Sequence, residues 1–252
     1  MIPKTPHGLL LTSGLILFVF LQPQPTSAQQ AAPPPPPPER EGNADFAFVG
    51  TTGNSSTTSI GLGGEFIDRP APWEFSIKAN YVRNESASTL QAESVTVATK
   101  AARKIDPRTS VFVTYVYLRD QFAGIEDRND VAGGIAYALI AEPRSTLTVD
   151  AGVGYAHETR VVGPHISTAT VPTGAVYKLK ISETTDLNEE GRFVFSLSDG
   201  TDWRFSNVFS VTAKMTSLFS LKFSNTVRFV NDPPPSFQKT DTITAAALVA
   251  KF

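Results

Sequence analysis

From about residue 44 to the end of the chain, apolar side chains recur at every second position, which is the strand period, and no comparable stretch keeps helical spacing. In FSLKFSNTVRFV one face carries Phe219, Leu221, Phe223, Val227 and Phe229, and the other carries Ser220, Lys222, Ser224, Thr226 and Arg228. WEFSIKANY sets Trp73, Phe75, Ile77, Ala79 and Tyr81 against Glu74, Ser76, Lys78 and Asn80. RFVFSLS repeats the pattern, broken only by Val194, and the final segment is less regular, with Lys251 opposite in parity to Leu248, Ala250 and Phe252. The pattern predicts twelve strands, at about 44–53, 57–67, 73–83, 91–102, 109–119, 129–140, 145–157, 170–182, 190–199, 206–215, 219–230 and 240–252. Most are as long as a tilted strand needs to cross a bilayer, roughly 9–11 residues, and longer than the usual soluble strand. An even number suits an antiparallel transmembrane β-barrel, the fold class expected for residues 44–252.

The connections point the same way. One set is short and turn-like (DRPAP, RKIDPR, AEPR, ETTDL, KMTS), whereas several of the alternate set are longer and polar (RNESAST, RDQFAGIEDR, HETRVVGPHISTAT, DGTDWRF, NDPPPSFQK). Short periplasmic turns alternating with longer external loops are expected of an outer-membrane barrel, and an even strand count returns both ends to the periplasm. TTGNSSTT departs from the trend by being short. This topology places Phe46, Phe48, Phe66, Trp73, Phe193, Phe219 and Phe252 near the periplasmic interface, and Tyr81, Tyr117, Tyr155, Trp203 and Phe229 near the outer one, as two aromatic girdles. A terminal Phe252 is then a closure residue, the last outward side chain of a strand that must pair with the first so that no sheet edge remains. A soluble sandwich also alternates, but no segment here is left to form a doubly buried core.

The N-terminal segment changes the picture of where such a barrel is made. Residues 1–28 carry Lys4, an apolar core from Leu9 to Leu21 and the small residues Thr26, Ser27 and Ala28, the layout of a secretory signal peptide. Residues 29–43, with their proline run, are expected to be a disordered, extended linker, and a periplasmic partner that docks on polyproline is the functional alternative to a plain spacer. The absence of cysteine in 252 residues rules out disulfides and thiolate metal sites, and a formal net charge of -2 gives no basic excess for nucleic acid. Outer-membrane lipid and the barrel assembly machinery are the partners this reading implies.

Four stretches in order, TTGNSSTT (Thr51 to Thr58), RDQFAGIEDRNDVAGGIAY (Arg119 to Tyr137), AGVGY (Ala151 to Tyr155) and NDPPPSFQKTDT (Asn231 to Thr242), followed by the terminal Phe, resemble a family of unknown function whose members are described as salt-induced outer-membrane proteins. The resemblance covers about residues 44–252 and implies an outer-membrane barrel. It brings no substrate, cofactor or catalytic residue with it.

Candidate chemistry is sparse. Beyond the signal segment the histidines are His157 and His165; Glu158 adjoins the first, and Ser167 stands two residues past the second, on the same face if the chain there is extended. A histidine–serine pair is similar to those of outer-membrane lipid A deacylases and phospholipases, but the resemblance stops at the pair, so the chain is expected not to be an enzyme. No ligand spacing indicates a metal or any cofactor, and the acidic RDQFAGIEDRND lacks the alternation of an EF-hand loop. The inward faces say more. Near the periplasmic mouth the late strands are expected to point Lys178, Lys180, Arg192, Lys214, Lys222 and Lys251 into the lumen, and the early strands Asp45, Glu65 and Glu74. These charges either pair within a plugged lumen or form a constriction that selects permeants. Three functions follow in order: a narrow pore for small solutes or ions, a structural or partner-binding envelope protein, and, remotely, an outer-membrane lipid hydrolase.

Overall fold

A computed structural model of the chain describes residues 38–51 and 57–252; the expected signal peptide and most of the proline-rich linker lie outside the described residues. Twelve strands follow one another: β1 (Arg40–Thr51), β2 (Thr57–Asp68), β3 (Trp73–Ser86), β4 (Thr89–Lys104), β5 (Thr109–Asp120), β6 (Ile125–Ala141), β7 (Ser145–Arg160), β8 (Ile166–Lys180), β9 (Thr185–Ser196), β10 (Trp203–Lys214), β11 (Phe219–Val230) and β12 (Thr240–Lys251). Each pairs antiparallel with its neighbours in sequence, and β12 returns to β1, so the sheet is a closed barrel. The alternation has the sense the sequence predicts. Outward side chains such as Val113, Ile135 and Val153 are 58%, 59% and 69% exposed, while Phe112, Ala136 and Ala156 on the inward face are buried. Exposed apolar groups all round a closed barrel suit a hydrocarbon surrounding rather than water.

Several strands reach past their expected ends. RNESAST contains no long loop: β3 runs to Ser86 and β4 starts at Thr89, leaving a two-residue hairpin in which Ala87 and Ser88 take φ of 49° and 61°, the left-handed turn geometry that matches strand twist. HETR ends β7 and ISTAT begins β8, so the expected loop shrinks to residues 161–165. β6 starts at Ile125 after a single 3-10 turn over Gln121–Ala123, capped by the Asp120 carboxylate accepting from the Ala123 amide. Beyond the apolar belt the outward positions turn polar, so the hydrophobic alternation stops although the ladder continues. β1 likewise begins at Arg40 rather than 44. On the other rim the turns are short; in one, the Asp106 carboxylate accepts the amides of Arg108 and Thr109, both at 2.8 Å, and those donors hold its carboxyl below the usual range.

The aromatic girdles need two corrections. β9 begins at Thr185, not 190, which moves Phe193 from the periplasmic to the outer end. There its ring stacks on Trp203 at 5.1 Å and touches Phe195 and Phe205, while Trp203 also stacks on Phe229 at 4.9 Å. Phe48 also lies well up β1, opposite Ile60.

The closing seam is short. β1 and β12 share four register pairs, Asn43 with Lys251 to Phe46 with Leu248, against twelve between β1 and β2. Phe252 extends it by two backbone bonds, its N–H donating to the Gly42 carbonyl at 3.0 Å and its carbonyl accepting from the Gly42 N–H at 2.9 Å. The Phe252 ring lies over Gly42 so closely that a Cβ there would stand 2.8 Å from the ring Cζ. A glycine is therefore required for the ring to seat. Deleting Phe252, or Gly42→Leu, is expected to lower several-fold the folded barrel recovered from membranes while leaving export intact, read by heat-modifiable mobility on a gel. Equal recovery from all three chains would remove the closure role.

Candidate functional site

The inward faces converge on a lumen lined with charge. The nine residues expected there have inward parity, but they divide by partner. Lys222 Nζ donates to Asp45 Oδ2 at 2.6 Å, Arg192 reaches Asp150 at 3.7 Å, and Glu74 accepts from Arg69 at 3.0 Å near the rim. Lys180 stands 4.0 Å from the exposed Glu183. Lys178, Lys214, Lys251 and Glu65 have no ion-pair partner among the described residues, and the three lysines are exposed at the terminal rim. The division into acidic early strands and basic late ones is only partial. By the same parity Lys78 and Lys100 face inward from β3 and β4, and Asp186 and Glu190 from β9.

Among the described residues, two ion pairs cross the lumen. Lys78 on β3 meets Glu190 on β9 at 3.9 Å, and Arg228 on β11 meets Asp120 on β5 at 3.4 Å, with Ser94 of β4 also 3.5 Å from Arg228 Nη1. In a ring of twelve, both pairs join strands six places apart, which are opposite walls. They sit at different depths: Lys78 and Glu190 lie partway along their strands, whereas Asp120 ends β5 at the outer rim. The lumen is thus bridged twice by long side chains.

A third element fills the outer end of the β6–β10 wall. Glu158, fully buried, accepts from Arg128 Nη1 at 2.8 Å and Arg160 Nε at 2.9 Å, and Arg204 Nη1 stands 2.8 Å away. Arg128 also holds both oxygens of Asp130 at 2.8 Å, Arg204 Nε lies 3.5 Å from Asp202, and Arg160 Nη2 donates to the Asp232 carbonyl at 3.1 Å. Three guanidinium groups thus face three carboxylates, so the cluster is buried yet compensated, as burial of charge demands. Inward Gly134 and Gly152 beneath it let β6 and β7 approach; a Cβ on Gly134 would come within 2.8 Å of the Gly152 Cα. Sequence reasoning misses this cluster because its members, Asp130 apart, fall in segments whose composition reads as loop. The available signal was the i, i+2 pairing of opposite charges in Arg128/Asp130, Glu158/Arg160 and Asp202/Arg204, a spacing that shares a strand face.

The histidines do not assemble the His165–Ser167 pair that an extended chain would allow. His165 lies exposed in the β7–β8 loop, and it is His157 whose Nδ1 stands 2.8 Å from Ser167 Oγ, across two strands on the outward face. Glu158 points the other way, into the buried cluster, so this pair has no carboxylate to orient the imidazole. Among the described residues no group of three or more histidine or carboxylate side chains is placed to hold a metal.

Comparisons with known proteins add the following. No curated protein matches the sequence. Among solved structures, the chain is similar to an outer-membrane channel from Pseudomonas putida F1 at 10% identity and a TM-score of 0.49, covering 90% of this chain and 100% of that one. It is similar to the NanC porin at 10% identity and TM-score 0.47, covering 84% and 97%, and to the translocator domain of the autotransporter NalP from Neisseria meningitidis at 9% and 0.47, covering 84% and 86%. A family described as a protein of unknown function, DUF481, matches residues 44–252, and the chain belongs to that family.

Proposed function

We propose that the protein is a narrow outer-membrane pore for small charged solutes or ions, restricted by ion pairs that cross its lumen. The observation that carries this reading is the pairing of opposite walls, Lys78 with Glu190 and Arg228 with Asp120, in a lumen lined by polar and charged groups. A barrel serving only as an anchor has no need to face its interior with charge, since burying ions costs several kcal/mol each unless they are compensated. Ion pairs across a hydrated passage break and reform as solutes pass, and at a constriction their fields act on each permeant. The apolar outward face and the closed sheet support insertion in the outer membrane, where a barrel satisfies every backbone group.

A structural reading also has a specific observation behind it. The buried cluster at Glu158 and the Arg228–Asp120 bridge together occupy the outer end, with the Lys78–Glu190 bridge crossing deeper in the lumen, which favours a plugged barrel. Liposome swelling separates the two. Proteoliposomes of the native barrel in iso-osmotic solutions of small ionic solutes are expected to swell faster than protein-free vesicles, with the rate falling steeply as solute size grows. Swelling no faster than in empty vesicles, for the smallest solute, would support the structural role instead.

A further inference from the structure

The outer wall formed by β9 to β12 breaks the rule that the belt be apolar. Glu189 on β9 has outward parity, with Leu187 before it and Gly191 and then Phe193 after it, and its Oε1 accepts from Asn207 Nδ2 of β10 at 2.6 Å. Asn207 itself lies between outward Phe205 and Phe209, and Asn225 of β11 between outward Phe223 and Val227. Asn225 donates to Thr244 of β12 at 2.8 Å. Register sets Glu189, Phe209 and Asn225 in one row across β9, β10 and β11. On other walls the mid-strand outward positions are residues such as Val113 and Val153, 58% and 69% exposed. A carboxylate and two amides inside the apolar belt meet hydrocarbon if the wall faces lipid, which penalises polar groups whose hydrogen-bonding capacity is unfilled. Each of these groups has capacity to spare: Glu189 uses one oxygen, and each asparagine amide uses one of its two N–H groups.

We propose that this wall is covered by a second copy of the same chain, as a two-fold dimer whose axis runs along the membrane normal past Phe209. The inference rests on the membrane placement given above, though not on conduction. Viewed from outside, the row runs acceptor, apolar, donor. A two-fold rotation about the membrane normal carries the β9 side of one copy onto the β11 side of the other; strands tilted by about 35–45° leave the facing Glu189 and Asn225 at different heights, a step that the extended Glu189 side chain reaches across, and the symmetry makes the contact twice. The Phe209 rings meet at the centre, and Phe205 and Phe223 supply an apolar surround. The row is therefore complementary to itself, which a lipid surface is not. Gly191 adds room beside the carboxylate, since a Cβ there would meet nothing within 4 Å.

The chain has no cysteine, so a single introduced thiol reports the contact. In intact outer membranes treated with a mild oxidant, Phe209→Cys is expected to give a disulfide-linked species of twice the chain mass, and Val153→Cys on β7, which also faces outward, is expected to stay monomeric. Glu189→Leu with Asn225→Leu, added to Phe209→Cys, is expected to reduce the cross-linked fraction several-fold while heat-modifiable mobility shows the barrel still folded. Three results would overturn the proposal: no more cross-linking at Phe209→Cys than at Val153→Cys, cross-linking to a protein of different mass, or cross-linking unchanged by the leucine substitutions. Should the leucine variant fail to fold, the comparison of the two single cysteines decides alone. Because the protein is assayed in its membrane, a failure of membrane placement appears separately, as protein missing from that fraction.

Discussion

Glu158→Leu lowers the stability of the folded barrel by about 3–5 kcal/mol, the cost of leaving buried charge without its partner. The carboxylate lies at the centre of Arg128, Arg160 and Arg204 and is fully buried. Removing it leaves three guanidinium groups to two remaining carboxylates, Asp130 and Asp202, and the Asp202 pair is long at 3.5 Å. Leucine offers neither charge nor acceptor, so the donors aimed at Glu158 lose their bonds inside a packed wall. Glu158→Gln keeps an acceptor and falls between the native chain and the leucine variant. The effect is read by urea unfolding in detergent or lipid, with Trp203 as a reporter, because its ring stacks between Phe193 and Phe229 at the same end of the barrel. A change within about 0.5 kcal/mol, the range of ordinary surface substitutions, would mean that water in the lumen already solvates the arginines.

Changing Lys178, Lys214 and Lys251 together to glutamate is expected to move the ion preference of the proposed pore from anions towards cations. These three carry the argument because Lys222 and Arg192, which share their parity, are held by Asp45 and Asp150 and contribute little net field. The three free lysines are exposed at the terminal rim, where low-dielectric walls focus their field on the passage. The Debye length is about 8 Å at physiological salt, so the native preference is moderate and weakens as salt rises. Reversal potential under a salt gradient measures it. An unchanged reversal potential in a conducting triple variant would place selection elsewhere, at the cross-lumen bridges.

How far the sequence carries follows from which forces are local. The twelve strands and their order were readable because the apolar belt imposes a period of two wherever the chain lies in it. That same signal fails where strands rise past the belt: Glu85, Asp127, Thr159 and Ser167 are all in strands, with polar outward sides that look like loop composition. β9 departs for a different reason: Glu189 stands at an outward position within the belt and breaks the alternation near the start of the strand. Inward parity of the nine lumen residues needed only the alternation. Their partners did not follow from it, because which side chains meet across a barrel depends on closure and stagger, and neither is written in any one strand. Lys78 and Glu190 are more than a hundred positions apart in sequence and become neighbours only in the closed ring. The match to the family supports the resemblance read from the sequence, although its description carries no salt response.

Single-channel recording in a planar bilayer tests the central claim most directly, with the native barrel compared with Glu190→Gln and with Asp120→Asn. Each substitution removes the charge that ties one wall to its opposite while keeping the size of the side chain. The account predicts small, frequently interrupted unitary currents in the native protein and larger or longer openings in both variants, as each bridge is loosened. A native barrel that carries no current, with both variants equally silent though folded, would contradict it.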